Sequence, residues 1–391
     1  TAGTVTICYT SGTGCAVNAE LTINPLPSPI TGNLSICVGG TTTLADASSG
    51  GTWTSGNVAV ATVNSATGEV LGISTGTAMI TYTISATGCN VTAVVTVNAA
   101  LPAITGTLTV CTGFTTALSD AVPGGTWSSG TTAVATVVSG TGVVTGVTPG
   151  TSVITYDVSA GCSTTATVTV NPTPGPIAGP PLVCVAATIT MSDATAGGTW
   201  SSSDITVATI GTDGTITGVG GGTTIISYIL PTGCYAVTTI TVNPLPSPIT
   251  GTATICQGDV VTLSNATAGG GNWSSANTSV ATVGTAGDVT GVSGGATIIT
   301  FTSSVTGCFT IGGFTVNPLP TMIGGPTVLC EGSTVTLLEG TFGGTWSSSN
   351  TSVATITSAG LLTGVTGGTS VISYILPTGC YVTTTITVNP L

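Results

Sequence analysis

The chain has 391 residues and contains no Lys, Arg or His, against twelve Asp and Glu residues. Without cations it can neither neutralise nucleic-acid phosphates nor be attracted to an anionic membrane surface, so nucleic-acid binding is excluded. The abundance of Val, Ile and Thr favours packed β-sheet over disorder. Thr, Ser or Gly interrupts every apolar stretch before the roughly 20 residues that a spanning helix needs, so we expect no membrane insertion.

Residues 1–24 contain two runs of alternating apolar and polar residues on either side of SGTGC. This alternation predicts two β-strands joined by a turn. The segment matches only the end of the longer units that follow, so we expect a partial module that begins mid-domain. An isolated hairpin is marginally stable in water, and this one needs a complementing half or a partner.

Five tryptophans mark a repeat, because they are separated by 74, 73, 73 and 73 residues and each is followed by VATV or VATI. They are Trp53, Trp127, Trp200, Trp273 and Trp346. A fixed period of this length indicates one module copied along the chain. We place five complete modules at residues 25–98, 99–171, 172–243, 244–317 and 318–391.

The third module shows the predicted internal plan. Short alternating runs separated by Gly-rich turns predict seven strands, near residues 182–185, 186–192, 198–203, 206–210, 214–219, 223–230 and 235–242. Seven short strands in about seventy residues are typical of a β-sandwich. No segment has helical periodicity, so we expect essentially no helix.

Short proline-rich joints separate the modules, as in NPLPSPITG at residues 24–32 and 243–251. Alternating prolines favour extended, semi-rigid connections. We therefore expect the modules to follow one another in a linear rod.

Ten of the twelve cysteines fall two to each complete module, at intervals of 50 to 52 residues. One lies near the start of the module and one at the turn before the last strand, which we interpret as adjacent ends of the sandwich. The predicted disulfides are Cys37–Cys89, Cys111–Cys162, Cys184–Cys234, Cys256–Cys308 and Cys330–Cys380. A framework of this kind implies an oxidising, extracellular setting.

Cys8 and Cys15 lie in the partial module, and three fates remain open for them: a local Cys8–Cys15 bridge, a lost intramolecular partner, or an intermolecular bond. A zinc site is the competing interpretation of the cysteines. It would need ligands from different modules, because the chain has no His and no Cys-x-x-Cys.

The segments WSSSNTSVATI, GLLTGVTGGTSVISY and VTTTITVNP together resemble the bacterial immunoglobulin-like group 2 repeat, over essentially every complete module. The Gly-Cys before the last strand and the proline joints are similar to repeats of very large surface proteins of Bacteroidota, including secreted adhesins and gliding filaments. The resemblance implies an all-β fold of tandem immunoglobulin-like sandwiches and a role in adhesion or scaffolding at the cell surface.

One acidic position recurs seven residues before the tryptophan, at Asp46, Asp120, Asp193 and Glu339, with Asn265 close to the corresponding place. The first interpretation is a turn in which the side chain accepts a hydrogen bond from its own backbone. The second is a calcium site, although calcium usually takes six to eight oxygens and several carboxylates.

Catalysis is not expected, because a Ser or Thr nucleophile would have no His or Lys as general base. We expect no catalytic residue, no resident metal and no cofactor. The predicted function is an extracellular stalk or filament segment that associates with itself into filaments or bundles. The alternative is an adhesin that binds a glycan or protein ligand through one or more modules.

Overall fold

The computed structural model describes residues 2–158 and 161–391, and all its regular structure is β-strand. The predicted all-β class is confirmed. The partial module contains two strands, β1 (Gly3–Thr10) and β2 (Ala16–Ile23).

The first two complete modules contain seven and eight strands, which together account for β3 to β17. Module 1 has β3 (Ser35–Cys37), β4 (Thr41–Thr43), β5 (Gly51–Ser55), β6 (Ala61–Val63), β7 (Glu69–Gly72), β8 (Gly76–Ile84) and β9 (Asn90–Asn98). Module 2 has β10 (Thr105–Gly106), β11 (Thr109–Cys111), β12 (Thr115–Ser119), β13 (Thr126–Ser129), β14 (Ala135–Val137), β15 (Val143–Gly146), β16 (Gly150–Val158) and β17 (Cys162–Asn171).

The remaining three modules contain seven strands each. Module 3 has β18 (Leu182–Cys184), β19 (Thr188–Thr190), β20 (Thr199–Ser202), β21 (Ala208–Ile210), β22 (Thr215–Gly218), β23 (Gly222–Ile229) and β24 (Tyr235–Asn243). Module 4 has β25 (Thr254–Cys256), β26 (Val260–Thr262), β27 (Gly271–Ser275), β28 (Ala281–Val283), β29 (Asp288–Gly291), β30 (Gly295–Ser303) and β31 (Phe309–Asn317). Module 5 has β32 (Val328–Cys330), β33 (Thr334–Thr336), β34 (Thr345–Ser348), β35 (Ala354–Ile356), β36 (Leu361–Gly364), β37 (Gly368–Ile375) and β38 (Tyr381–Asn389).

Each complete module is a sandwich of two sheets. In module 1 the larger sheet has the order β3-β9-β8-β5 and the smaller one β4-β7-β6. All neighbours are antiparallel except the first and last strands of the module, β3 and β9, which run parallel. The short first strand thus ends beside the end of the last strand, with Cys37 opposite Asn98.

The core of each module lies between its two sheets, and the recurring tryptophan is part of it in modules 1 and 2 and packs against it in modules 3 to 5. In module 1 the Trp53 side chain is buried among Leu44, Val70 and Ile80, and its ring centroid lies 4.7 Å from that of Tyr82. Trp53 is thus a core residue of module 1, with 5% of its surface exposed. Aromatic pairs at this separation add to the stabilisation from burial.

A glycine closes the core over the tryptophan. Gly68 has a φ of 74°, and a Cβ there would lie 2.9 Å from the Trp53 ring. Only glycine satisfies both the left-handed backbone and the close approach. This explains why a glycine opens the strand that follows VATV or VATI in every module.

Candidate functional site at the module joints

Four disulfides join each complete module to the next one. In each pair, one cysteine ends the short strand that runs parallel to its module's last strand, and the other lies at or just before the start of the last strand of the following module. The pairs are Cys37–Cys162, Cys111–Cys234, Cys184–Cys308 and Cys256–Cys380, with Cα–Cα separations of 5.5, 5.6, 5.7 and 5.6 Å.

This arrangement corrects the predicted pairings within modules, which were Cys37–Cys89, Cys111–Cys162, Cys184–Cys234, Cys256–Cys308 and Cys330–Cys380. Because β3 runs parallel to β9, Cys37 lies beside the end of β9, whereas Cys89 immediately precedes its start. Nine residues at roughly 3.3 Å each separate those two ends, far more than a disulfide spans. The two cysteines therefore lie at opposite ends of the module.

Four cysteines of the described chain form no disulfide: Cys8, Cys15, Cys89 and Cys330. The suggested Cys8–Cys15 bridge is wrong, because Cys8 is opposite Asn18 in the hairpin register and Cys15 lies in the turn. Cys89 and Cys330 occupy the two positions that are cross-linked at the joints elsewhere.

A tight turn follows the first cysteine at every joint. In module 2 the Phe114 N–H donates to the Cys111 carbonyl at 3.0 Å, and Gly113 between them has a φ of 82°. Gly39, Gly258 and Gly332 hold the same conformation, but in module 3 the residue is Ala186, with a φ of 64°.

An aromatic residue after the second cysteine lies beside this turn at the joints of modules 2 and 3 and of modules 3 and 4. At the joint of modules 2 and 3 the Phe114 and Tyr235 ring centroids are 5.8 Å apart. At the joint of modules 3 and 4, Ala187 replaces the phenylalanine, and a pocket of about 320 Å³ opens between Ala186, Leu245 and Phe309. The joints thus share a covalent link and differ in the packing around it.

In four of the five complete modules, the proline-rich linker forms a hydrogen bond with the turn that carries the recurring acid. The linker N–H donates to a hydroxyl two residues after the acid: Ser28 to Ser48 at 2.9 Å, Gly175 to Thr195 at 3.1 Å, Ser247 to Thr267 at 2.8 Å and Thr321 to Thr341 at 3.0 Å. In module 2 the corresponding residues are Pro102, which has no N–H, and Val122, which has no hydroxyl. Donor and acceptor are thus replaced together.

The recurring acid itself caps this turn, which confirms the turn interpretation. Asp46 Oδ1 accepts from the Ser48 N–H at 2.7 Å, and Asp120 Oδ1 accepts from the Val122 N–H at 2.8 Å. Asn265 and Glu339 accept equivalent hydrogen bonds from Thr267 and Thr341, and Asp193 lies at the same place in module 3.

The side chain at the recurring acidic position has a second polar atom, and the identity of that atom determines whether it hydrogen-bonds with the linker. In module 4 Asn265 Nδ2 donates to the Ser247 carbonyl at 2.5 Å. An aspartate cannot donate in its ionised form, and Asp46 Oδ2 and Asp120 Oδ2 are buried without a hydrogen-bond partner. Glu339 instead accepts from the Thr321 hydroxyl at 2.6 Å.

The calcium hypothesis named Asp46, Asp120, Asp193 and Glu339, and the structure places each in its own module rather than together. Among the described residues, no group of three or more His, Cys, Asp or Glu side chains could hold a metal ion. Nor does any helix in the described part of the chain have the length and apolar character to cross a membrane.

Two exposed aspartates in module 3 stabilise turns through their charge. Hydrogen bonds from the Thr206 side chain and N–H lower the pKa of Asp204, and those from the Thr215 N–H and hydroxyl lower the pKa of Asp213. A lowered folded-state pKa stabilises the turn above the unfolded-state pKa, and this stabilisation is lost as pH falls through the folded-state value.

Comparison with known proteins supports the module class. Residues 236–309 match the family of bacterial Ig-like domains (group 2). This stretch covers the last strand of module 3 and most of module 4, and the other complete modules share the same strand order. The sequence is also 29% identical over 388 residues to Ice-binding protein 1 of Shewanella frigidimarina (strain NCIMB 400), covering 85% of this chain and 43% of that protein. The chain thus spans less than half the length of this relative.

Solved structures of multidomain surface proteins are also similar. The crystal structure of invasin, a bacterial integrin-binding protein, is matched over 74% of this chain and 79% of that chain, with 17% identity and a TM-score of 0.27. The S-layer protein rSbsC(31–844) is matched over 74% of this chain and 54% of that chain, with 15% identity and a TM-score of 0.18.

Proposed function

We propose that the chain is an extracellular structural protein, a stalk or filament segment of a large repetitive cell-surface protein, as the resemblance to Bacteroidota surface repeats implies. The observation that supports this most is the covalent link from each complete module to the next. A disulfide inside a module would stabilise that module alone, whereas these four fix how successive modules follow one another. Disulfides of this number also fit an oxidising, extracellular location.

The proposed role needs no catalytic group, metal or cofactor. The sparse charge on the surface leaves little electrostatic repulsion between copies, so we propose that the chain associates with itself into filaments or bundles. Sedimentation velocity over a range of concentrations tests this association directly. A chain that stays monomeric at high concentration would contradict it.

Small-angle scattering tests the stalk role. Strands of about eight residues, with roughly 3.3 Å per residue, and a linker give about 35 to 45 Å per module, so five modules in line should extend about 200 Å. The C184S/C308S double variant is the matched control, since it removes one joint disulfide and should shorten the mean dimension by allowing bending. A compact particle for the unmodified chain would sink the proposal.

The alternative function is adhesion, and the open apolar pocket beside Phe309 favours it. Phe309 and Ile311 are each 56% exposed next to the Cys184–Cys308 disulfide. A glycan array, together with an ice-affinity assay suggested by the name of the relative, tests this alternative. The Phe309→Ser variant is the control, because binding through the pocket should be lost while binding elsewhere persists.

A further inference from the structure

The pocket at the joint of modules 3 and 4 is lined almost entirely by apolar side chains. Phe309 and Ile311 on the last strand of module 4 are each 56% exposed, and Leu245 in the linker is 47% exposed. Val185 and Ala187 line it from module 3, and none of the described residues that line it is charged. A concave apolar surface that stays exposed is typical of a binding or interaction site.

The equivalent pocket at the next joint differs in its chemistry. Between modules 4 and 5, Gln257 and Asp259 take the places that Val185 and Ala187 have at the joint of modules 3 and 4. An apolar group entering there would remove water from a carboxylate, which is costly without a compensating partner. Of these two pockets, the one between modules 3 and 4 therefore suits an apolar occupant.

Module 5 carries exposed apolar side chains around the turn that holds the recurring acid. Phe342 is 97% exposed, Met322 86% and Leu338 68%, and we call these three residues the module 5 patch. The hydrogen bond from the Thr321 N–H to the Thr341 hydroxyl, at 3.0 Å, holds the two chain segments of the patch together. In the other modules the place of Phe342 is taken by Ser49, Pro123, Ala196 and Ala268.

The exposure of both surfaces is a property of the modules themselves. The residues at the place of Phe342 are also exposed in modules 1 to 4, each of which is followed by another module. The pocket lies between modules 3 and 4, which have module 2 before them and module 5 after them. Neither surface is thus created by an end of the chain.

The acid beside the patch, Glu339, is already hydrogen-bonded within the turn. Its carboxylate accepts from the Thr321 hydroxyl at 2.6 Å and from the Thr341 N–H. Burial of the neighbouring Phe342 therefore leaves no carboxylate without partners, so the patch can lose its water at little electrostatic cost.

We propose that Phe342 of one copy of the chain inserts into the pocket between modules 3 and 4 of a second copy. Met322 and Leu338 then pack beside Phe309. The proposal rests on the self-association proposed above and names the surfaces that carry it. A pocket of about 320 Å³ is at the small end of the roughly 300 to 1,000 Å³ that binding pockets span, which suits one aromatic side chain. A second copy is the occupant because every copy carries both surfaces, and the two match in apolar character.

The contact is head-to-tail, because the pocket and the patch are different surfaces of the chain. A copy that is bound through its patch still has a free pocket, and its partner still has a free patch. Such a contact is heterologous, and it extends into a ring or an open filament.

The test is sedimentation velocity of the full chain over a range of concentrations, with its four free thiols alkylated so that no new disulfide forms. Phe342→Ser gives module 5 the residue that module 1 has at this place, and it should weaken the association about tenfold or more. Ile205→Ser is the matched control, because it removes a side chain of module 3 that is 67% exposed and should leave the association unchanged.

Ala187→Phe tests the pocket. At the joint of modules 2 and 3 the residue at this place is Phe114, whose ring lies beside that of Tyr235. The introduced ring should lie beside Phe309 in the same way and occupy the pocket, with a similar loss of association. Ile311→Ser is a second pocket variant, which removes a side chain that is 56% exposed and should also weaken the association.

An equimolar mixture of the Phe342→Ser and Ala187→Phe chains tests the head-to-tail geometry. The first chain has an intact pocket and the second an intact patch, so the pair can form one contact and no more. We expect each variant alone to sediment as a monomer and the mixture to sediment as a dimer. Because the dimer forms only when both variants are folded, misfolding cannot imitate this result.

The possible failures are distinguishable. Undiminished association of either Phe342→Ser or Ala187→Phe alone would overturn this contact and leave the proposed self-association intact. A mixture that stays monomeric, or that grows beyond dimers, would overturn the head-to-tail contact. An unmodified chain that stays monomeric at high concentration would contradict the self-association and this contact together.

Discussion

Ala186 has a backbone conformation that is unfavourable for any residue except glycine. Its φ of 64° belongs to a conformation that costs an L-residue roughly 1 kcal/mol or more, and glycine holds it in the other modules. Ala186→Gly removes this strain and in turn loosens the unfolded chain, so we expect a net stabilisation of module 3 of about 0.5 kcal/mol. Hydrogen exchange of the module 3 amides measures it.

The matched control for this substitution is Gly258→Ala in module 4. A Cβ at Gly258 meets no atom within 4 Å, so only the backbone conformation is penalised. We expect a destabilisation of about 0.5 kcal/mol, because the reduced freedom of the unfolded chain offsets part of the backbone strain. If Ala186→Gly stabilises module 3 by as much as Gly258→Ala destabilises module 4, the backbone conformation of the turn sets the preference for glycine. Contact with the neighbouring module then plays no part.

Asp46 offers a second test at the residue scale. Its Oδ2 is buried without a hydrogen-bond partner, whereas Nδ2 of Asn265 donates to the linker carbonyl of Ser247 in an identical NPLPSPITG joint. Asp46→Asn should therefore gain a hydrogen bond to the Ser28 carbonyl and stabilise module 1 by about 1 kcal/mol. Thermal unfolding followed by tryptophan fluorescence gives the change.

The reciprocal substitution, Asn265→Asp, removes the donor and leaves the Ser247 carbonyl facing a carboxylate. We expect a loss of about 1 to 3 kcal/mol in module 4. A destabilising Asp46→Asn would show that the two linkers are held differently.

At the scale of elements, a tyrosine fastens the loop between the two sheets. The Tyr156 hydroxyl donates to the Val122 carbonyl at 2.6 Å and accepts from the Gly125 N–H at 2.8 Å. Tyr156→Phe removes both hydrogen bonds to this loop, so module 2 should lose about 1 to 3 kcal/mol. Tyr381→Phe, at a side chain that is 58% exposed, should change little.

The elements themselves were largely predictable from the sequence. Alternation in module 3 located seven strands, and the observed bounds, such as Thr215–Gly218 for the predicted 214–219, differ by one to a few residues. The turn acid was assigned correctly because turn chemistry depends on local sequence.

The disulfide pattern was not predictable in the same way. Alternation of apolar and polar residues is the same for parallel and antiparallel neighbours, so nothing in the residues around Cys37 indicates that β3 runs parallel to β9. That direction alone moves Cys37 away from Cys89 and towards the following module.

At the scale of the whole chain, the absence of Lys and Arg allows the joints to be tested with one substitution. Pro248→Arg in the exposed linker between modules 3 and 4 creates a single trypsin site before Ile249. After cleavage, the Cys184–Cys308 bond should keep the two pieces together on a non-reducing gel, and reductant should separate them.

Cys184→Ser in the same background provides the control, since its pieces should separate without reductant. Cysteines paired within modules predict separation in both chains. The gel therefore distinguishes the two disulfide patterns without a structure.

The overlapping disulfides also determine how tension would pass along the chain. A tensile force applied at Cys37 passes through the first disulfide to Cys162 and then along 22 residues of chain to Cys184. It passes through a second disulfide to Cys308 and along another 22 residues to Cys330. The tryptophans and most other core residues of modules 1 to 4 lie outside this covalent route. Under oxidising conditions these cores could unfold without adding the usual contour length, and a reductant would convert an almost inextensible tether into one that lengthens module by module.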